Sequence, residues 1–136
     1  MEPSEAVRNG ILRFYDRFSA GDASGFADGI ATGPGVSVIG SGPGEGHGDR
    51  ESWVDAYATQ IIEWGIRLEG GGKAVGYAEG TAGFGTDEPR FVLPDGSFVP
   101  TRLTAVLHEE DDEWKIVHLH FSVGVSDEAA VQPPPS

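Results

Sequence analysis

Val7, Ile11, Phe14 and Phe18 recur at steps of three and four, Leu12 and Tyr15 widen the stripe, and Arg8, Arg13, Asp16 and Arg17 fall outside it. This spacing predicts an amphipathic helix. Ser4 stands where a side-chain oxygen accepts from the free amides of a first turn, and Gly21 stands just past the last apolar position, where a left-handed residue ends helices. Asp22 is placed to cap a short second helix, Ala23 to Asp28. The β-branched run Val36, Ser37, Val38, Ile39 between glycines predicts a short strand, followed by the glycine-rich loop GSGPGEGHGD. Asp49 ends that loop as an N-cap, and Trp53, Tyr57, Ile61 and Trp64 mark one face of a third helix over residues 50–63.

From Gly65 onward the period falls to two: Ile66 and Leu68 alternate with Arg67 and Glu69. Gly70-Gly71-Gly72-Lys73 predicts a tight reversal, Val75 to Phe84 one strand, and Arg90 to Leu93 another. Pro94-Asp95-Gly96-Ser97 is a hairpin turn, because proline presets its corner and glycine admits positive φ. Phe98 to His108 and Trp114 to Val123 are the last two strands. The tail DEAAVQPPPS carries three consecutive prolines and cannot join a ladder. The expectation is one domain over residues 1–125 and a flexible Pro-rich tail over 126–136. Helices first and a run of antiparallel strands afterwards is an α+β pattern, three helices packed in a strongly curved, mostly antiparallel sheet.

The last hairpin decides which residues face inward. Glu109 to Glu113 are five consecutive acids, tolerable only at a solvated tip. A two-residue loop at Asp111-Asp112 sets Ala105 opposite His118 and mixes polar with apolar on both faces. A three-residue loop, Glu110 to Asp112, separates them instead. Leu103, Ala105, Leu107, Val117, Leu119 and Phe121 then share one face, and Arg102, Thr104, His108, Trp114, Ile116, His118, His120 and Ser122 share the other. The first face suits the core. The mixed face, too apolar for water and too polar for a dry interior, suits a second subunit, with Arg102, Thr104, Trp114, His118 and His120 as dimer contacts.

Composition narrows the partners. The 136 residues carry 9 Lys+Arg against 22 Asp+Glu, a formal net charge of -13, which repels phosphate backbones and anionic lipid and argues against nucleic acid and membrane surfaces. No apolar run approaches the ~18 residues of a spanning helix. The start MEPSEAVRNG lacks the basic and apolar regions of a secretory signal, so a cytoplasmic protein is expected. With Cys 0, disulfides, thiolate metal sites and cysteine nucleophiles are excluded.

The segment WKIVHLHFS, preceded by Arg102-Leu103-Thr104-Ala105-Val106-Leu107 and by the Gly48-Asp49-Arg50 helix start, resembles the nuclear-transport-factor-two-like superfamily. The SnoaL-like domains and the association domain of calcium/calmodulin-dependent protein kinase II are the nearest groups. The resemblance implies a conical α+β fold with a pocket in the cone and dimerisation through the sheet. In the kinase association domain arginines line the pocket and hold acidic small molecules; the positions aligned with two of them here are Ala105 and Phe121, which argues against a carboxylate ligand. Ketosteroid-isomerase and polyketide-cyclase relatives use Asp or His at the pocket wall, and no residue here matches by motif.

Several candidate sites remain. His118 and His120 lie two apart on a strand, hence on one face, a spacing that chelates a metal only with a third ligand. Arg102 opposite His120 in the chosen register argues against a cation, so neither a metal nor any other cofactor is expected. Glu45 and His47 form a possible proton-transfer pair, but the surrounding glycines hold them loosely. GSGPGEGHGD lacks the Lys-Ser/Thr of a phosphate loop. The aromatic residues give the strongest pocket signal: Tyr15, Phe18, Trp53, Tyr57, Phe84, Leu119 and Phe121 are expected as the wall of an apolar cone cavity. Three functions follow. The first is a homodimer whose cavity binds a small, mostly apolar, uncharged molecule. The second is an isomerase, cyclase or dehydratase that abstracts a proton beside a carbonyl, with Tyr57 or Tyr15 stabilising the oxyanion. The third is an oligomerisation module without a ligand.

Overall fold

The structure is a computed structural model that describes residues 1–42, 44–70 and 72–135. Helix α1 (Glu5–Ala20) begins where Ser4 Oγ accepts from the Val7 amide at 3.1 Å and ends at Gly21, whose φ of 68° is left-handed. Its stripe Val7, Ile11, Phe14, Tyr15 and Phe18 is buried, as the periodicity requires. Helix α2 (Ala23–Asp28) is capped by Asp22, and α3 (Arg50–Ala56) by Asp49, which accepts from the Ser52 amide at 2.7 Å. Beyond Ala56 the third helix widens into a π-helical turn, Tyr57–Ile61, and closes with one α turn, Ile62–Trp64, before left-handed Gly65.

The described residues form ten strands, the first ahead of α1: β1 (Glu2–Pro3), β2 (Ser37–Ile39), β3 (Gly46–His47), β4 (Arg67–Glu69), β5 (Val75–Glu79), β6 (Ala82–Asp87), β7 (Arg90–Val92), β8 (Phe98–Pro100), β9 (Arg102–Glu110) and β10 (Glu113–Ser122). Seven form one sheet in the order β1-β5-β6-β9-β10-β2-β3, and β4-β7-β8 form a second. Among the strands of the described residues only β10 and β2 pair in parallel, and an isolated parallel bridge joins Ile30 to Ile116.

Two expected strands are each divided. The segment 75–84 turns at Gly80-Thr81, with Glu79 opposite Ala82 and Gly80 at φ 62°. The segment 98–108 breaks at Thr101, whose amide and Oγ1 both donate to the Pro89 carbonyl, at 2.9 and 2.7 Å. That buried clamp passes the chain from the small sheet to the large one. The expected reversal at 70–73 includes Gly71, which lies outside the described residues; the strands on either side of it pair elsewhere, β4 with β7 and β5 with β1 and β6. In the tail, Ser126 caps a single helical turn, Asp127–Ala130, and the described residues 123–135 are exposed.

The last hairpin corrects the expected register. Its loop is the two-residue Asp111-Asp112, both left-handed at φ 53° and 63°, with Glu113 opposite Glu110. A bulge at Val117 then inserts one residue, so that Leu119 lies opposite Ala105 and Phe121 opposite Leu103. The bulge restores the parity that a two-residue loop alone would lose. Leu103, Ala105, Leu107, Leu119 and Phe121 are buried as expected, but Ile116, expected outside, takes the core position next to the bulge, and Val117 is only half-buried. Trp114 shares the inward parity of Ile116 and packs against the core beside Gly10 and Gly83, not on the mixed face. The register also places Arg102 opposite Ser122 and Thr104 opposite His120.

Helix α1 lies almost directly on β5 and β6. A Cβ at Gly76 would stand 2.6 Å from the Arg8 amide nitrogen, and one at Gly83 2.7 Å from Val7 Cγ2. Ion pairs anchor the other end of α1: Arg17 and Arg13 reach the same Glu113 oxygen at 2.6 and 3.2 Å.

Candidate functional site

Helices α1 and α2 and the third helix converge on the concave side of the sheet and fill it with aromatic rings. Phe26 stacks on Tyr57 with centroids 3.9 Å apart, Trp53 stands edge-on to Phe26 at 5.6 Å, and Phe18 reaches Tyr57 at 5.5 Å. Phe91 continues the chain of rings to Phe121 at 4.9 Å. Phe18, Trp53, Tyr57, Leu119 and Phe121, all expected in the cavity wall, are thus brought together with Phe14 and Phe26 in one buried cluster. The Tyr57 hydroxyl donates to the Phe18 carbonyl at 2.5 Å, closing a free acceptor at the end of α1, and burial raises its pKa above the ordinary value. Phe84 does not join the cluster. Alternation along β6 turns Gly83, Gly85 and Asp87 inward beneath α1, which leaves Phe84 outward, stacked on Tyr77 at 5.4 Å.

Tyr15 occupies the edge of the cluster. Its hydroxyl donates to Asp87 Oδ2 at 2.8 Å, and Asp87 is only 4% exposed. Burial first, then the charge on Asp87 and the hydrogen bond to it, push the Tyr15 phenol far above the ordinary range. Among the described residues Asp87 Oδ1 is buried with no partner. An open concavity of about 520 Å³ lies beside Tyr15, between α1 and β4, lined by Leu12, Tyr15, Asp16, Ser19 and the segment Arg67 to Gly70. A second, of about 240 Å³, lies at the start of α1 against β5. Of the ring cluster only Tyr15, at its edge, is among the described residues that line either.

The convex face of the large sheet carries Arg102, Thr104, His118 and His120, as the alternation predicts. One row across it reads Tyr77, Phe84, Val106, His118, Ser37; the next reads Val75, Thr86, Thr104, His120, Ile39. Neither row holds a carboxylate, although the chain has 22. Phe84 and Val106 are each 37% exposed at the centre. Ser37 Oγ and His118 Nδ1 share a hydrogen bond of 2.8 Å that fixes the imidazole, and Arg102 Nε donates to Ser122 Oγ at 3.2 Å.

In the glycine-rich loop the Glu45 carboxylate turns back to accept from the Gly42 amide at 3.2 Å, and His47 lies opposite Val38 on β3. Among the described residues no group of three or more His, Asp or Glu side chains converges as metal ligands, and no helix is long and apolar enough to cross a membrane. Sequence reasoning missed Asp87, Tyr77 and Ser37. Asp87 became legible only once β6 was seen to start after Gly80, which sets its inward parity.

Residues 7–126 match the sequence profile of the SnoaL-like domain, so the chain belongs to that family. Solved structures carry the same fold. A nuclear-transport-factor-two-like superfamily protein from Salmonella enterica superposes with a TM-score of 0.73 at 19% identity, over 89% of this chain and 90% of that one. A protein titled a candidate dehydratase of the same superfamily, from Streptomyces avermitilis, gives 0.74 at 19% identity over 90% and 96%. One titled a candidate calcium/calmodulin-dependent protein kinase type II association domain, from Thiobacillus denitrificans, gives 0.72 at 19% identity over 92% and 98%. No curated protein matches the chain in sequence.

Proposed function

We propose that this SnoaL-like domain acts as a homodimer, joined through the convex faces of its large sheets, and binds a small, mostly apolar molecule at the wall of the cone. The observation that carries the dimer is the pair of carboxylate-free rows at the centre of the convex face. Two copies of a chain with net charge -13 repel each other over most orientations, and these rows let them meet without a carboxylate at the centre of the contact while covering Phe84, Val106, Val75 and Ile39. Binding is supported by the open concavity beside Tyr15, where Leu12, Leu68 and the Tyr15 ring offer apolar contact. The interior of the cone is taken up by aromatic side chains, which moves the ligand from the axis to this wall.

Equilibrium sedimentation tests the dimer. Phe84→Glu places a carboxylate on each side of the two-fold contact and is expected to yield monomer, and His120→Ala is expected to weaken association; an unchanged dimer in both would refute the assignment. Native mass spectrometry of the purified protein reads any retained molecule, and its loss in Tyr15→Phe with retention in His118→Ala is the expected pattern. Retention in Tyr15→Phe would place the ligand elsewhere.

Proton-abstracting catalysis is the second reading, favoured by the structural neighbour from Streptomyces avermitilis described as a candidate dehydratase. The hydroxyl chemistry weighs against it. An oxyanion needs a free donor, and the single protons of Tyr15 and Tyr57 are committed to Asp87 and to the Phe18 carbonyl.

A further inference from the structure

We infer that mild acid separates the dimer, through proton uptake by His118 and His120 in rows that hold no carboxylate to receive the charge; this rests on the dimer reading above and adds how that contact is controlled. The two histidines stand in adjacent rows, His118 between Val106 and Ser37 and His120 between Thr104 and Ile39. In a single copy His120 is exposed and His118 half-buried, so both rings reach water. Imidazole is the side chain whose charge changes between about pH 5 and 8. The 2.8 Å bond between Ser37 Oγ and His118 Nδ1 survives that change, because a hydroxyl accepts as readily as it donates. It does not hold the ring neutral.

The elements around the pair leave the added charge unmatched. On β9 the same face carries Arg102, two residues before Thr104 and bonded to Ser122 Oγ, and His108, two residues after Val106; on β10 it carries Lys115, opposite His108. These groups are cations or become cations in acid. Strand β2 adds only Ser37 and Ile39 to the face, and on β3 His47 lies opposite the buried Val38, while the Glu45 carboxylate ahead of it turns back to the Gly42 amide. Strand β6 contributes Phe84 and Thr86, and β5 contributes Val75 and the phenol of Tyr77, a group that is neutral in acid. The carboxylates lie beyond the two rows. Glu79 ends β5, Glu110 ends β9 with its carboxylate on the Thr32 amide and hydroxyl, Glu88 pairs with Lys73 at 2.9 Å, and Asp127 and Glu128 belong to the exposed tail.

A two-fold sets these rows against their own copies, so each charged ring meets the same composition across the contact. Protonation then places up to four positive charges where water is excluded and no anion answers them. The long-range interaction runs the other way. Charging the histidines brings the net charge of -13 closer to zero and weakens the repulsion between copies, so a dimer held by overall charge alone tightens in mild acid. Only ionisation within the contact separates it.

The test is sedimentation velocity of the full chain at pH 7.5 and pH 5.5 at one ionic strength, with circular dichroism at both to show that the fold is retained. Linkage gives up to about tenfold in the dimer Kd per ring for each pH unit below the point where the ring charges in the free copy, and four rings enter the contact. The wild type is expected to be a dimer at pH 7.5, with a Kd at least about 100-fold higher at pH 5.5. The double variant His118→Gln with His120→Gln keeps polar side chains that cannot charge, and its Kd is expected to change less than about threefold between the two. Should that variant not associate at pH 7.5, the single variants His118→Gln and His120→Gln take its place, each expected to keep about half of the wild-type dependence on a logarithmic scale. Acid dissociation of the glutamine variants equal to that of the wild type would overturn the assignment to these rings. A wild type equally dimeric at both pH values would overturn the switch and leave the dimer standing, and a monomer at pH 7.5 would overturn both.

Discussion

Replacing Tyr15 with Phe removes one oxygen from a buried pair of polar side chains. The ring still fills its place in α1, so no cavity opens; what is lost is the 2.8 Å bond to Asp87, whose carboxylate then has neither oxygen paired among the described residues. A hydrogen bond to a buried charged group is worth about 1.5–3 kcal/mol, and stripping a buried charge of its partner costs about 3–5 kcal/mol. The phenylalanine avoids desolvating a hydroxyl and offsets about 1 kcal/mol of this. The net expectation is a loss of about 2–3 kcal/mol at neutral pH, read as a lowered urea midpoint with the slope unchanged.

The alkaline limb gives an independent check. Because the folded phenol is raised above the ordinary 10.0, the native state keeps a proton that the unfolded chain releases. Its stabilisation is intact below that value and falls by about 1.4 kcal/mol per pH unit as the pH rises beyond it. Tyr57, also raised, contributes equally to wild type and variant, so the difference between the two curves isolates Tyr15. The penalty of Tyr15→Phe is therefore expected to shrink above pH 10. A loss under about 0.5 kcal/mol with parallel curves on the alkaline side would refute the buried pair as a source of stability.

Two further perturbations probe the frame around the site. Burial alone would raise the Glu113 carboxyl, but the hydrogen bond and charge of Arg17, with Arg13 and Lys115, outweigh it and hold the pKa below the ordinary 4.5. Its stabilisation is present above that value and lost as the pH falls through the folded pKa, so Glu113→Gln is expected to cost about 1 kcal/mol at pH 7 and almost nothing in strong acid, measured by urea unfolding across pH. Gly76→Ala forces a methyl to within 2.6 Å of the Arg8 amide nitrogen and 2.9 Å of the Ser4 carbonyl, backbone atoms that yield only if α1 lifts. A loss of about 1–3 kcal/mol by thermal unfolding is expected, and an unchanged midpoint would show that the helix is not seated on this glycine.

The helices were legible because each carried several agreeing signals: a stripe at helical spacing, a capping side chain and, for the first, a terminal glycine. The inward residues of β9 were legible from alternation, as were the outward positions of His118 and His120. The loop of the last hairpin was not. Unbroken alternation favours a three-residue loop, whereas the chain uses two left-handed aspartates and corrects the parity further along β10 through Val117. No local property of Val117 marks it as the extra residue. The turn at Gly80 was missed for a related reason, since the apolar run continues across it, and that one omission hid Asp87 and turned Phe84 the wrong way. The aromatic residues signalled a shared location correctly but not whether rings or a ligand would fill it, because packing depends on distances that spacing does not contain.

The most direct measurement of the dimer face is an isotope-filtered NOE experiment on carbon-13-labelled chain mixed with unlabelled chain, which records only contacts between copies. The account predicts cross-peaks from the Val106 and Val75 methyls of one copy to the Phe84 and Tyr77 rings of the other. Intermolecular peaks confined to the exposed Phe98 and Val99 of β8, or none at all at millimolar protein, would contradict it.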